Sequence, residues 1–209
     1  MEAAGDFVDR VASAVASPVV IDHSASVLTS SRNVVSRQAD LACPERIVVS
    51  GCSIICKGAV IRADRAAVSI GQYCRIGEGA KVQPATAPSA DPSDRKYLPC
   101  AILDNVIIER NATVQATMVD CNTHIMEGAI VGERCVIGPC CRVLPGAVVP
   151  PDTVVAPGTV VGGRPATIVD FLPSGFAIDW ARHCRDDHRR TVASRHESLQ
   201  PTAQSGLLI

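Results

Sequence analysis

The run VDCNTHIMEGAIVGERCVIGPCCRVLPGAVVPPDTVVAPGTVV, from Val119 to Val161, decides the fold. Aliphatic residues stand at Val119, Ile125, Val131, Ile137, Val143, Val149, Val155 and Val161, eight in succession at a stride of six. Four residues after each of the first seven comes a small side chain: Thr123, Ala129, Cys135, Cys141, Ala147, Thr153 and Thr159. A stride of six matches neither the turn of an amphipathic helix nor the alternation of a long strand. It matches short strands joined by tight corners, with Gly132, Gly138, Gly146, Gly158 and Gly162 as corner residues. Three such hexads close a triangular coil whose anchors meet on one axis, and successive coils stack at the inter-strand spacing of roughly 4.8 Å. The expected fold is mainly β, a parallel β-helix. Each buried anchor contributes on the order of 1.5–3 kcal/mol, and a single coil cannot cover its own apolar face, so stability belongs to the stack.

Working outward, the same phase recurs at Ile102, Ile108 and Val114, at Ile70, Ile76 and Val82, and at Val48, Ile54 and Val60, with register slips between the blocks. Between the last two blocks and the main run, PATAPSADPSDRKYLP carries four prolines among small polar residues, which predicts an external loop over residues 84–100. The solenoid then spans residues 33–169, after an N-terminal extension over 1–32 and before a charged tail over 170–209. The extension carries no hexads, and its Ala, Val and Ser residues fit either a short helix or a mobile segment. From Asp179 to Leu199 the chain is rich in Arg, Asp, His and Ala, which predicts a helix capping or flanking the open end of the stack.

Composition narrows the function classes. Aromatic residues make up only 3% of the chain, so the core must be built from Val, Ile, Ala and Cys in thin, regular layers. Net charge is −1 and the basic residues form no stripe, which argues against nucleic acid as a partner. The longest weakly charged stretch, Val143 to Val161, is broken by Pro145, Pro150, Pro151 and Pro157 and does not read as a membrane span. Glu2, Asp6 and Asp9 at the start argue against a secretory or transit signal, so a cytoplasmic location is expected. The ten cysteines contain no C-x-x-C pair and read as free thiols. Cys52, Cys74, Cys135 and Cys141 are assigned to small packing positions four residues after an anchor.

Catalytic constellations are sparse. His124 precedes the anchor Ile125 and could serve as a lone general base, although a surface histidine at a corner is the simpler reading. Cys184 and His188, spaced i, i+4, could offer two metal ligands, but a structural site normally needs four. Their neighbours Arg182, Arg185, Arg189 and Arg190 favour a solvated basic face. No catalytic residue, metal ligand or cofactor is assigned.

Hexad solenoids of this kind resemble the left-handed β-helix superfamily of acyltransferases and gamma-class carbonic anhydrases. The left hand is implied by that resemblance, since parallel crossovers are right-handed by default. VIRADRAAVSIGQYCRI, Val60 to Ile76, is similar to a first-coil motif shared by the anhydrases and two dynactin subunits. Together with NVVSRQ at Asn33 to Gln38 and RCVIGPCCRVLPGAVVPPDTVVAPGTVVGGRP at Arg134 to Pro165, it resembles the dynactin subunit 5 family. The double cysteine Cys140-Cys141 and the PPDTVV corner at Pro150 to Val155 are its most specific marks.

On the anhydrase pattern, Gln83, Arg110 and Gln115 fall where three zinc-binding imidazoles are needed, and the fixed charge of an arginine repels zinc. Arg62 and Asp64 resemble a charged pair that anhydrase relatives use between subunits. With Arg95, Tyr97 and Leu98 of the loop, they are the candidate interface. The resemblance implies a non-catalytic cytoskeletal subunit of the dynactin pointed-end complex, supporting dynein-dependent endosome transport along microtubules. Its implied partners are dynactin subunit 6, an actin-related protein and the zinc-rich large subunit. The alternatives are a divergent anhydrase-like or acyltransferase enzyme and a self-associating trimer.

Overall fold

The computed structural model describes residues 25–88 and 96–198 of the chain. Most of these residues wind through three faces in strict rotation. The first face stacks Val34–Ser36, Ile54–Ile55, Arg75–Ile76, Ile107–Ile108, His124–Ile125, Arg142–Val143 and Thr159–Gly163 as parallel neighbours. The second stacks six strands from Asp40–Ala42 to Val148–Val149, and the third six from Ile47–Gly51 to Val154–Val155.

The strand pairing aligns every anchor with one in the coil below. Ile55, Ile76, Ile108, Ile125, Val143 and Val161 form one ladder. Ile61, Val82, Val114, Val131 and Val149 form the second, and Val49, Ile70, Ile102, Val119, Ile137 and Val155 the third. From Val119 to Val161 the eight anchors of the main run are between 0% and 5% exposed and belong to one core cluster. Parallel sheets need both faces covered. Here the three inner faces cover one another.

In the first block the inward residues are Val49, Ile55 and Ile61, one place later than the expected Val48, Ile54 and Val60. Adjacent β-branched pairs at Val48-Val49, Ile54-Ile55 and Val60-Ile61 offered two phases, and a shift of one residue exchanges the faces of a strand. Val48 is accordingly 62% exposed. The slip also moves Cys52 out of the packing position and onto a corner, at φ 51°. Ser53 takes the buried place, where its hydroxyl donates to Gly71 O and accepts from the Cys74 N–H.

Corners repeat three residues after an anchor in the left-handed region, at Tyr73, Asn105, Asn122, Gly128, Cys140, Gly146 and Gly158. Asparagine and glycine enter that region at least cost. Gly132 and Gly138 are glycine for a different reason. A Cβ on Gly132 would lie 2.7 Å from Pro151 N, and one on Gly138 2.8 Å from Val155 O, so close approach of the next coil excludes any side chain.

The buried thiols at Cys74, Cys135 and Cys141 donate to carbonyls of the following coil: Leu103 O at 2.9 Å, Pro150 O at 3.0 Å and Ala156 O at 3.1 Å. Burial pushes Cys74 and Cys100 up to about 12, so they remain protonated and behave as small apolar side chains. All ten cysteines are free.

Both ends of the first face turn back on themselves. Ser26–Leu28 pairs antiparallel with Val34–Ser36, and Ala166–Phe171 pairs antiparallel with Thr159–Gly163. These hairpins, which the hexad pattern does not announce, close the ends of that face. The helix, Phe176–Ser198, instead runs lengthwise along the outside of the same face. The external loop departs after the second-face strand Lys81–Val82, and its stem is ordered by a bridge between Thr86 and Tyr97. Ala85 is fully buried in that stem, and Arg134 donates to Thr86 O.

Val143→Asp should place an unpaired charge between Ile125 and Val161, a cost of several kcal/mol, on the order of a domain's whole stability. Loss of the cooperative thermal transition is the expected result, while Val154→Asp, on a side chain 74% exposed, should leave it nearly unchanged. An unaltered melt for the Val143 variant would remove that residue from the axis.

Candidate functional site

The helix covers the outward-pointing residues of the first face, a column made of Ile54, Arg75, Ile107, His124, Arg142 and Val160. None is more than 4% exposed, although half of them are charged or polar. The helix meets them with Trp180, Cys184, Asp187, His188 and Thr191, which recur at i, i+4, i+7, i+8 and i+11 and so share one side. The sequence concealed this stripe because most of it is polar.

The contacts form a ladder from one end of the solenoid to the other. Trp180 Nε1–H donates to Asn105 O at 2.9 Å, and its ring lies over His124 with centroids 4.7 Å apart. Arg75 Nη1 pairs with Asp187 Oδ2 at 2.8 Å, with side chains only 4% and 11% exposed. Near the N-terminal end, His188 Nε2–H donates to Arg32 O at 2.8 Å. Breaking such a buried ion pair from one side leaves an uncompensated charge, which fixes the helix in one register.

Two expectations are overturned here. His124 is not a surface residue: it is fully buried, and its Nε2 lies 2.8 Å from Glu109 Oε1. Burial holds its pKa below the ordinary imidazole value, with Arg142 and Arg75 acting in the same direction and Glu109 opposing them. The ring is therefore neutral and donates to the carboxylate. Burial works to raise Glu109, but the hydrogen bond from the neutral His124, with the field of Arg75 and the Glu127 N–H, outweighs it and holds the carboxyl low. A general base must come within hydrogen-bond reach of a substrate proton. Beneath Trp180, His124 exposes no atom to one.

Cys184 and His188 do not lie on a solvated basic face either. They are 3% and 7% exposed, and each turns to a different carbonyl of the solenoid, Asn105 O and Arg32 O. Among the described residues, no group of three or more His, Cys, Asp or Glu side chains could hold a metal ion. Gln83 and Gln115 follow the paired anchors Val82 and Val114 and so stack one coil apart. The Arg110 side chain is 57% exposed, with Glu127 at 3.9 Å.

On the opposite side, Arg62 grips Asp64 in a fork, with Nε to Oδ1 at 3.0 Å and Nη2 to Oδ2 at 2.8 Å. The next residue, Arg65, lies over the Tyr97 ring at 5.2 Å, which joins this pair to the loop stem where Leu98 donates to Ala85 O. Arg62, Asp64, Tyr97 and Leu98 thus share one edge. Arg95 lies outside the described residues.

His124 and His183 are both pulled below their ordinary value of 6.5, chiefly by burial. An unfolded chain binds protons there that the folded chain refuses, so stability falls as pH drops below about 6.5 and is fully present above it. Depressed Glu109 adds a loss of the same sign at lower pH. Melting temperature should be flat from neutral pH upward and decline under mild acid, and His124→Gln should blunt that decline. An identical acid profile in that variant would show that His124 does not contribute.

Comparison with solved structures places the fold among hexapeptide-repeat proteins. A hexapeptide transferase family protein from Anaplasma phagocytophilum superposes with a TM-score of 0.60 at 17% identity, over 77% of this chain and 92% of the other. A putative acetyltransferase of Bacillus cereus gives a TM-score of 0.54 at 18% identity, over 81% and 94%. The Bacillus cereus N-acyltransferase AntD, in complex with a dTDP-sugar and coenzyme A, gives 0.57 at 13% identity, over 78% and 88%. At these identities the likeness describes the fold alone, a left-handed parallel β-helix. The family model described as dynactin subunit 5 matches residues 16–179, well over half of the sequence, and the chain belongs to that family.

Proposed function

We propose that this chain is a non-catalytic structural subunit of the dynactin pointed-end complex and supports dynein-dependent transport of cargo, endosomes in particular, on microtubules. Its place is cytoplasmic and cytoskeletal. The partners are dynactin subunit 6, an actin-related protein and the zinc-rich large subunit. Family membership supports the reading, and no described helix is long and apolar enough to cross a membrane.

The observation that carries it is the contrast between the faces. The axis is filled by anchors, and the first face is covered by the chain's own helix. The outward column of the third face, Val48, Ser69, Ala101, Met118, Val136 and Val154, carries no charge. Val48 and Val154 are 62% and 74% exposed. A straight uncharged column on a rigid prism suits protein contact. The edge formed by Arg62, Asp64, Tyr97 and Leu98 adds polar groups held in fixed positions, as the rim of an interface requires.

Affinity purification with mass spectrometry tests the reading. The wild-type chain should recover other dynactin subunits, and Val154→Lys, which alters only an exposed side chain, should reduce that recovery several-fold without lowering the melting temperature. Recovery of no dynactin subunit, together with acetyl transfer or zinc-dependent hydration of carbon dioxide by the purified chain, would contradict it.

A further inference from the structure

The helix is held by a different set of residues from the solenoid. Among the described residues, the axial core cluster takes no member from Phe176–Ser198. The helix has a small cluster of its own, in which Trp180 and Cys184 pack on Ile107, with Tyr73 and Phe176 at the margin. The rest of its buried side is polar, formed by Asp187, His188 and Thr191. Where its start meets the last coils lies a cavity of about 490 Å3, lined in part by Pro173, Gly175, Phe176, Trp180 and His183. Lifting the helix would therefore cost the axis no anchor contact, and segments with few buried apolar contacts are those that open locally.

The seam also holds a group that the docked helix does not let ionise. His124 gives its Nε2–H to Glu109 at 2.8 Å, so a second proton must go on Nδ1. That nitrogen is buried and has no hydrogen-bond partner. Protonated there, the ring would be a cation cut off from water, with a donor that meets no acceptor. Arg142 stands in the next coil of the same column and Arg75 two coils back, both adding positive charge, while Glu109 opposes them. From the helix side, Trp180 lies over the ring, His183 follows at 5.2 Å from Trp180, Cys184 turns to Asn105 O, and Asp187 is taken up by Arg75. His183 repeats the arrangement: its Nε2 is buried without a partner. Burial lowers its pKa together with Arg75 and Arg190, against Asp187 and Asp186.

We propose that the helix is an acid-released strap: protonation of His124 at Nδ1 drives Phe176–Ser198 off the first face and leaves the solenoid folded. The docked state excludes a proton that the released state binds, so docking is at full strength above the ordinary imidazole pKa of about 6.5 and weakens as pH falls below it. Once the helix is lifted, Nδ1 reaches water and every anchor keeps its neighbours. Release also bares Arg75, Ile107 and Arg142, so a face closed at neutral pH becomes a basic surface in mild acid.

The full chain carries its own reporters. Trp180, its single tryptophan, and Cys184 belong to the helix, while Cys135 and Cys141 belong to the axis. The purified chain is labelled at about pH 7.5 and about pH 5 with 4,4′-dithiodipyridine, which reacts with thiols in mild acid, and the labelled positions are identified by mass spectrometry. On acidification Cys184 labelling should rise at least tenfold relative to Cys135 and Cys141, with a red shift of Trp180 emission, and both changes should reverse at neutral pH. His124→Gln, which keeps a donor for Glu109 but takes no proton, should cut that rise several-fold. Asp187→Asn, which leaves Arg75 without its counter-ion, should free Cys184 already at neutral pH while Cys135 stays closed. The wild-type comparison stands whether or not a variant folds. Equal gains at Cys184 and Cys135, in acid or in the Asp187 variant, no gain at Cys184 in acid, or a wild-type response from His124→Gln would each overturn the proposal.

Discussion

Everything in this molecule depends on aliphatic side chains of successive coils stacking directly over one another on a common axis. No single coil can bury its own inward residues, so each takes cover from its neighbours, and the resulting stability is a property of the stack. This requirement sets the other rules. Strands are short, corners must turn sharply in the left-handed region, and residues such as Gly132 must lack a side chain because the next coil lies against them.

The stack leaves three outer faces, and the chain treats them differently. One is sealed by its own helix through a seam in which Arg75 pairs with Asp187, Trp180 donates to a solenoid carbonyl, and the Trp180 ring lies over His124 and beside Arg142. Such a seam adds less net stability than an apolar one, but it tolerates only one placement of the helix. The third face is left without a helix and without charge along its outward column, which is where an assembly subunit would have room for neighbours. The same division explains why the histidines are poor candidates for catalysis: the one inside the solenoid was used to dock the helix.

The stride of six made the solenoid legible from Val119 to Val161, because those hexads are uninterrupted and a single phase accounts for all eight anchors. Legibility failed first where pairs such as Ile54-Ile55 stood next to register slips, since both members are apolar and only the pairing distinguishes them. It failed again at the terminal hairpins, which depend on contacts with strands already placed. The helix-facing site was hidden for a third reason. Arg75, His124 and Arg142 lie in outward positions that a repeat pattern assigns to solvent, and only the docking of a segment distant in sequence buries them. The partner of Asp187 follows from that docking and from nothing local, whereas Glu109 meets His124 through the stacking of adjacent coils.

The central claim is best tested by thiol labelling of the native protein, read residue by residue by mass spectrometry. Cys74, Cys100, Cys135 and Cys141 are buried in the axial core, whereas Cys52 sits on a partly exposed corner. If the anchors meet on one axis, Cys52 reacts in the folded state and the four core thiols react only through global unfolding, at a rate that rises together with denaturant. Native-state labelling of Cys135 or Cys141 at the rate of Cys52 would contradict the account.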